Sequence, residues 1–115
     1  MTVTVYGIPN CDSVKKARAL LTANGVEYAF HDYKKAGVPE DLLRGWVAAK
    51  GWETLLNRKG STWRSLDDST KLSVLDADSA VRVMFANLST IKRPVIVSGV
   101  AVVVGVDETA IASLR

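Results

Sequence analysis

The one cysteine of this 115-residue chain, Cys11, stands in the run Asn10-Cys11-Asp12-Ser13-Val14-Lys15-Lys16-Ala17-Arg18. A valine-rich stretch ends just before it and an amphipathic one begins just after it. The thiol is therefore expected in the loop after a strand, at or just before the first turn of a helix. Backbone N–H groups there have no intrahelical acceptor, and the helix dipole adds about half a positive charge. Both favour an anion, and the thiolate is the nucleophilic form of cysteine. Lys15, Lys16 and Arg18 fall within the first two turns, where cations oppose the dipole. Such a placement fits a field that holds a thiolate or an anionic substrate. Lys16 and Arg18 read as solvated charges on the outer face, whereas Lys15, four residues after Cys11, can share the thiol's side. Free cysteines are often buried as small hydrophobes. Here Asn10, Asp12 and Ser13 are polar and Pro9 breaks the strand, so Cys11 reads as exposed and reactive. Asp12 and Ser13 are also residue types that cap helix N-termini.

A dithiol oxidoreductase would carry a second cysteine where this chain has Val14. If Cys11 turns over, its resolving thiol comes from outside, and glutathione is the cytosolic supply. Glutathione is thus expected as a co-substrate, with no bound cofactor. One Cys and one His (His31) cannot close a tetrahedral zinc shell, so no metal is expected. His31 reads as a structural or solvated imidazole. A second cluster, Ile91-Lys92-Arg93-Pro94-Val95, precedes a valine run. Arg93 offers a planar, five-donor fork suited to a carboxylate or oxyanion. Pro94 beside it makes an X-Pro bond, the one peptide type with an appreciable intrinsic cis fraction. The plainer alternative is a surface arginine at a strand start.

The elements that must position these residues follow from periodicity. Residues 2–6 alternate like a strand, and Asp12 to Asn24 carry Val14, Ala17, Leu20 and Leu21 at helical spacing. Gly25 stops that helix, and Val26 to Tyr33 form a second strand, making a β-α-β unit with parallel strands. The middle is helical. One helix opens at Pro39 and buries Leu42, Leu43, Trp46 and Val47. A shorter, interrupted stretch follows between Gly51 and Leu66. A further helix, capped by Asp76 or Asp78, has Ala80, Val81, Met84, Phe85 and Leu88 on its stripe. Trp46, Trp52 and Trp63 are expected to pack the insert on the sheet, or, for Trp63, to line a cleft. Residues 94–106 read as a hairpin turning at Ser98-Gly99, and Asp107 caps a closing helix.

The order β-α-β, helices, β-β-α is that of an α/β, thioredoxin-like fold with a helical insertion between its halves. A single domain is expected over 1–115, with the insert at about 36–90. Charge is mild, at +3. The basic residues are scattered, which argues against nucleic acid. No apolar run approaches the roughly 20 residues that cross a bilayer. The single thiol and the absence of a signal-like start point to the cytoplasm. A monomer is expected.

The stretches "YGIPNCDSVKKARALL", "FHDYKK", "GWETLLNRKGSTWR" and "IKRPVIV" together resemble the ArsC/Spx/YffB family of arsenate reductase-like proteins, nearest to the YffB branch. The resemblance covers nearly the whole chain. It implies a nucleophilic cysteine at Cys11 and, by analogy with the arsenate reductases, an oxyanion site built on three arginines. One of these matches Arg93. A second falls on Asn57, with Arg58 adjacent, and the third falls among Val102–Gly105, where no arginine stands. Asn10, Asp12, Ser13, Lys15, Asn57, Arg58, Arg93 and Pro94 are thus the candidates for binding glutathione or another anion. Losing charge-assisted donors of about 1.5–3 kcal/mol each leaves arsenate reduction as a further alternative only. The implied function is a glutathione-dependent thiol reductase acting on a small thiol or disulfide, with glutaredoxin as an additional partner. The alternative is an Spx-like transcriptional regulator docking on RNA polymerase, for which Gly51 and the Arg93 region resemble docking positions. Val14 removes the cysteine pair such regulators use as a redox switch.

Overall fold

Strand β1 (Val3–Gly7) buries Val3, Val5 and Gly7 and leaves Thr4 and Tyr6 partly exposed, the period-2 alternation of a pleated chain. The structure, a computed structural model, describes residues 2–114. Met1, and Arg115 at the end of the expected closing helix, lie outside the described residues. The chain divides into two compact units, one made of the residues up to Ala36 together with those from Arg93 onward, the other of Gly37–Lys92.

In the first unit, helix α1 (Asp12–Ala23) buries Val14, Ala17 and Leu21 on one stripe. It ends where Asn24 N–H donates to Leu20 O at 3.0 Å, and Gly25 takes a positive φ of 72° that L residues avoid. Neither Asp12 nor Ser13 caps this helix. Cys11 itself is the N-cap residue, with extended backbone and no side-chain cap bond.

Strand β2 (Tyr28–Asp32) runs parallel to β1, with Val3 opposite Tyr28 and Gly7 opposite Asp32. The strand expected to reach Tyr33 stops one residue early. The Asp32 carboxylate accepts from the N–H groups of Lys34 and Lys35 at 3.1 and 3.4 Å. That bends the chain into a helical turn, α2 (Tyr33–Ala36).

Strand β3 (Val95–Ser98) lies antiparallel to β1, and β4 (Ala101–Val104) antiparallel to β3, so the sheet order is β2-β1-β3-β4. The hairpin turns at Gly99-Val100, one residue later than expected, because Ser98 still pairs with Ala101. Gly99, with φ of 59°, meets the positive-φ demand at the first central turn position. Helix α8 (Glu108–Ala112) is capped by Asp107, whose carboxylate accepts from Ala110 N–H at 3.1 Å. Val5, Ile96 and Val103 line up across three strands. With Val3 they pack against Ala17 and Leu21 of α1 and against Ile111 and Leu114. This is the thioredoxin-like arrangement expected.

The second unit is helical: α3 (Glu40–Lys50), α4 (Trp52–Leu55), α5 (Ser61–Ser65), α6 (Asp68–Leu72) and α7 (Ala77–Ala86), followed by a 3-10 turn at Leu88–Thr90. Pro39 is the N-cap of α3, and Leu43, Trp46 and Val47 are its buried face, with Leu42 only partly covered. Helix α7 begins at Asp76, which exchanges capping bonds with Ser79. Its buried residues are Ala80, Val81, Val83 and Met84, while Phe85 is 45% exposed, against expectation. At about 100° per residue the stripe is centred between Ala80 and Met84, and Val83 lies nearer to it than Phe85. Arg44 of α3 reaches Asp78 of α7 at 3.1 Å and Glu40 at 2.9 Å. No helix of the described residues is long and apolar enough to cross a membrane.

Candidate active site

Strand register brings three chain segments of the first unit to one end of the sheet. β1 and β2 run the same way and finish side by side at Gly7 and Asp32. β3 runs the opposite way and starts at Val95, opposite Tyr6. The loop carrying Cys11, the residue Tyr33 and the pair Arg93-Pro94 therefore share that end. Gly7 sets how close α1 comes. A Cβ there would lie 2.7 Å from Val14 Cγ2, so only glycine lets the first turn of α1 pack onto the end of β1.

Cys11 is partly exposed and is the N-cap of a 12-residue helix, with Lys15 N–H donating to its carbonyl at 2.9 Å. The Arg93–Pro94 peptide bond is cis, and Pro94 is buried. The half-buried Arg93 guanidinium is hydrogen-bonded to the Tyr33 hydroxyl and interacts with the Cys11 thiol. Burial alone would weaken its charge. Tyr33 and Cys11 outweigh that and leave its pKa above the ordinary arginine value. Tyr33 is fully buried, and burial pushes its pKa up to about 12 against the lowering pull of Arg93. It is a neutral phenol at any physiological pH. The site thus presents a thiol, a fixed cation and a helix N-terminus together, which can hold an attacking thiolate or the anion that leaves.

Asn10, Asp12, Ser13 and Lys15 surround Cys11 in sequence and are all exposed. Lys16 pairs with Glu108 at 3.7 Å on the surface. Arg18 departs from the outer-face reading. It is partly buried, stacks 4.2 Å from the Phe30 ring centroid and donates to the Tyr28 hydroxyl at 2.9 Å. His31 lies opposite Tyr6 across β1 and β2, the two rings 5.0 Å apart and tilted by 49°. Tyr33 was missed by residue type, since it reads as the last residue of a strand. The usable signal was the parallel pairing, which sends the residue after β2 to the same end as the loop after β1.

Asn57 and Arg58 belong to the second unit. Asn57 N–H donates to Thr90 O at 2.8 Å, and its side-chain oxygen accepts from Lys59 N–H at 3.2 Å, closing a turn. A Cβ on Gly60 would lie 2.9 Å from Asn57 Nδ2, so the glycine makes room for that side chain. Arg58 stands 3.7 Å from Glu53 and 5.6 Å from the Trp52 ring centroid. Glu53, Leu56, Asn57, Arg58, Lys59 and Lys92 line a concavity of about 180 Å³. Trp46 is buried, whereas Trp52 and Trp63 are partly exposed.

Comparison with known proteins agrees with this architecture. The solved structure of the YFFB protein superposes with a TM-score of 0.92 at 46% identity, covering 97% of each chain. An uncharacterized protein of Haemophilus influenzae is 40% identical, over 92% of this chain and 92% of its own length. The global transcriptional regulator Spx of Streptococcus pyogenes is 27% identical, over 95% of this chain and 81% of its own. Residues 6–114 match the ArsC family. With the thiol at the N-cap of the first helix and the arginine before the cis-proline, the chain belongs to the ArsC family, with an arsenate reductase-like fold.

Proposed function

We propose that this chain is a cytoplasmic, glutathione-dependent thiol reductase whose nucleophile is Cys11. The observation that carries the reading is the place of Cys11 at the N-cap of α1, where the Arg93 guanidinium beside the cis-proline interacts with its thiol. Cys11 thiolate attacks one sulfur of a disulfide R–S–S–R′. The S–S bond breaks, R′–S⁻ leaves with the electron pair and takes a proton from water, and Cys11–S–S–R remains. One glutathione thiolate displaces R–S⁻ from the mixed disulfide, and a second displaces Cys11, giving oxidised glutathione. Two glutathione thiols supply the two electrons. No internal thiol competes, because Val14 occupies the resolving position and is buried.

The test is mass spectrometry of the protein treated with oxidised glutathione, beside turnover of a small disulfide by reduced glutathione. One glutathione adduct on the wild type, none on Cys11→Ser, and turnover lost in that variant are expected. A wild-type protein that neither forms the adduct nor turns over would overturn the reading.

The match to the Spx regulators along 95% of the chain favours a second reading, a regulator that docks on RNA polymerase. Stoichiometric co-purification with purified RNA polymerase, insensitive to Cys11→Ser, is the result that would favour it over the first.

A further inference from the structure

We propose that Tyr33 is a positioning residue of this site: its buried hydroxyl holds the Arg93 guanidinium against Cys11 and so sets how strongly the thiol selects anionic partners. The inference rests on the reading of Cys11 as the nucleophile and goes beyond it by assigning the group that orders the cation.

The strands bring Tyr33 to the end of the sheet where Cys11 and Arg93 lie. Its side chain is wholly out of solvent. Its backbone is fixed on one side by β2 and on the other by the Asp32 carboxylate, which accepts from Lys34 and Lys35 N–H. A rigid acceptor is what a long arginine side chain lacks on its own, since it loses rotamer freedom wherever it is held. Arg93 is hydrogen-bonded to the phenol oxygen and also interacts with the thiol, so the hydroxyl and the sulfur share one guanidinium.

The choice of tyrosine has a chemical consequence. A carboxylate in this position would also hold the guanidinium, but it would neutralise the charge offered to the sulfur and to an incoming anion. A phenol orders the cation and leaves its charge in place. The partners that gain from this are disulfides whose substituents carry carboxylates, such as those of glutathione.

The experiment compares iodoacetate with iodoacetamide, reagents of near-equal shape that differ in one carboxylate. Alkylation rates of Cys11 are measured for wild type, Tyr33→Phe, Arg93→Lys and the double variant, beside melting temperatures. Tyr33→Phe keeps the ring that fills the site and removes only the hydroxyl. The iodoacetate-to-iodoacetamide ratio is expected to fall roughly 2- to 10-fold in Tyr33→Phe, the scale of one hydrogen bond. The double variant should fall no further than Arg93→Lys alone, because the two residues act through one group. An unchanged ratio in Tyr33→Phe would overturn the proposal. So would equal slowing toward both reagents, which marks packing alone, or multiplicative effects in the double variant. Glutathione takes no part in this assay. A wild type inert toward glutathione disulfides would therefore sink the reductase reading while the ratio still decides the role of Tyr33.

Discussion

Tyr33 and Arg93 make a pair in which proton and charge stay put over the working pH range. The phenol is pushed up to about 12 by burial, with Cys11 and Asp32 adding to the rise and Arg93 opposing it. The sign of the stability effect follows. An acid whose folded value lies above its unfolded one near 10 contributes stability in full below pH 10, and loses it as pH rises through the folded value. Two units correspond to roughly 2–3 kcal/mol of added cost for unfolding at neutral relative to strongly alkaline pH. Chemical denaturation followed from pH 9 to 12 should therefore show stability falling, and Tyr33→Phe should flatten that fall. Tyr6, whose value burial also raises, keeps part of the slope. A wild-type curve no steeper than that of Tyr33→Phe would show that the phenol ionises as freely as in the unfolded chain. At this scale the meeting of Cys11 and Arg93 at one end of the sheet was legible from residue type and neighbours. The place of Tyr33 was not, because it depends on burial and on a partner 60 residues away, neither of which local sequence displays.

The contact between β1 and α1 is the element that aims the thiol. Gly7 is buried at the end of β1, and an added methyl group would come within 2.7 Å of Val14. Since Val14 is fully buried, it cannot swing aside into solvent. Gly7→Ala is expected to cost about 1–3 kcal/mol by overpacking and to slow alkylation of Cys11 as the first turn of α1 shifts. Removing the obstructing methyls with Gly7→Ala/Val14→Ala should restore much of both losses. Melting temperature and iodoacetamide rate measure this, and a double variant no better than Gly7→Ala would refute the steric account. The two strands and the helix between them were readable because the change from period 2 to period 3.6 falls cleanly between Tyr6 and Val14. Three details were not. Tyr33 left the strand because the Asp32 side chain competes for backbone N–H groups. The hairpin turned at Gly99-Val100 because strand pairing, not the Ser-Gly pair, set the register. Helix α6 escaped because a single turn capped by Asp67 has no apolar stripe and buries no residue.

For the whole molecule, family membership leaves open which oxidised group the thiol meets, and the cations available decide it. A tetrahedral oxyanion such as arsenate spreads its charge over several oxygens and needs several charge-assisted donors, each worth about 1.5–3 kcal/mol. The resemblance to the arsenate reductases implies an oxyanion site of three arginines. Only Arg93 has an unambiguous counterpart here. β4 reads Ala-Val-Val-Val and offers no cation. Asn57 is neutral, and its side-chain oxygen closes the turn to Lys59. A disulfide asks for less, because the developing anion is one departing thiolate, which a single guanidinium and a helix N-terminus can stabilise. Two missing donors amount to roughly a hundred- to ten-thousand-fold in rate. Arsenate reduction with glutathione and glutaredoxin is therefore expected to stay at the level of Cys11→Ser, while a glutathione mixed disulfide turns over in the same buffer. Arsenate turnover that matches disulfide turnover and disappears in Cys11→Ser would overturn this count of donors.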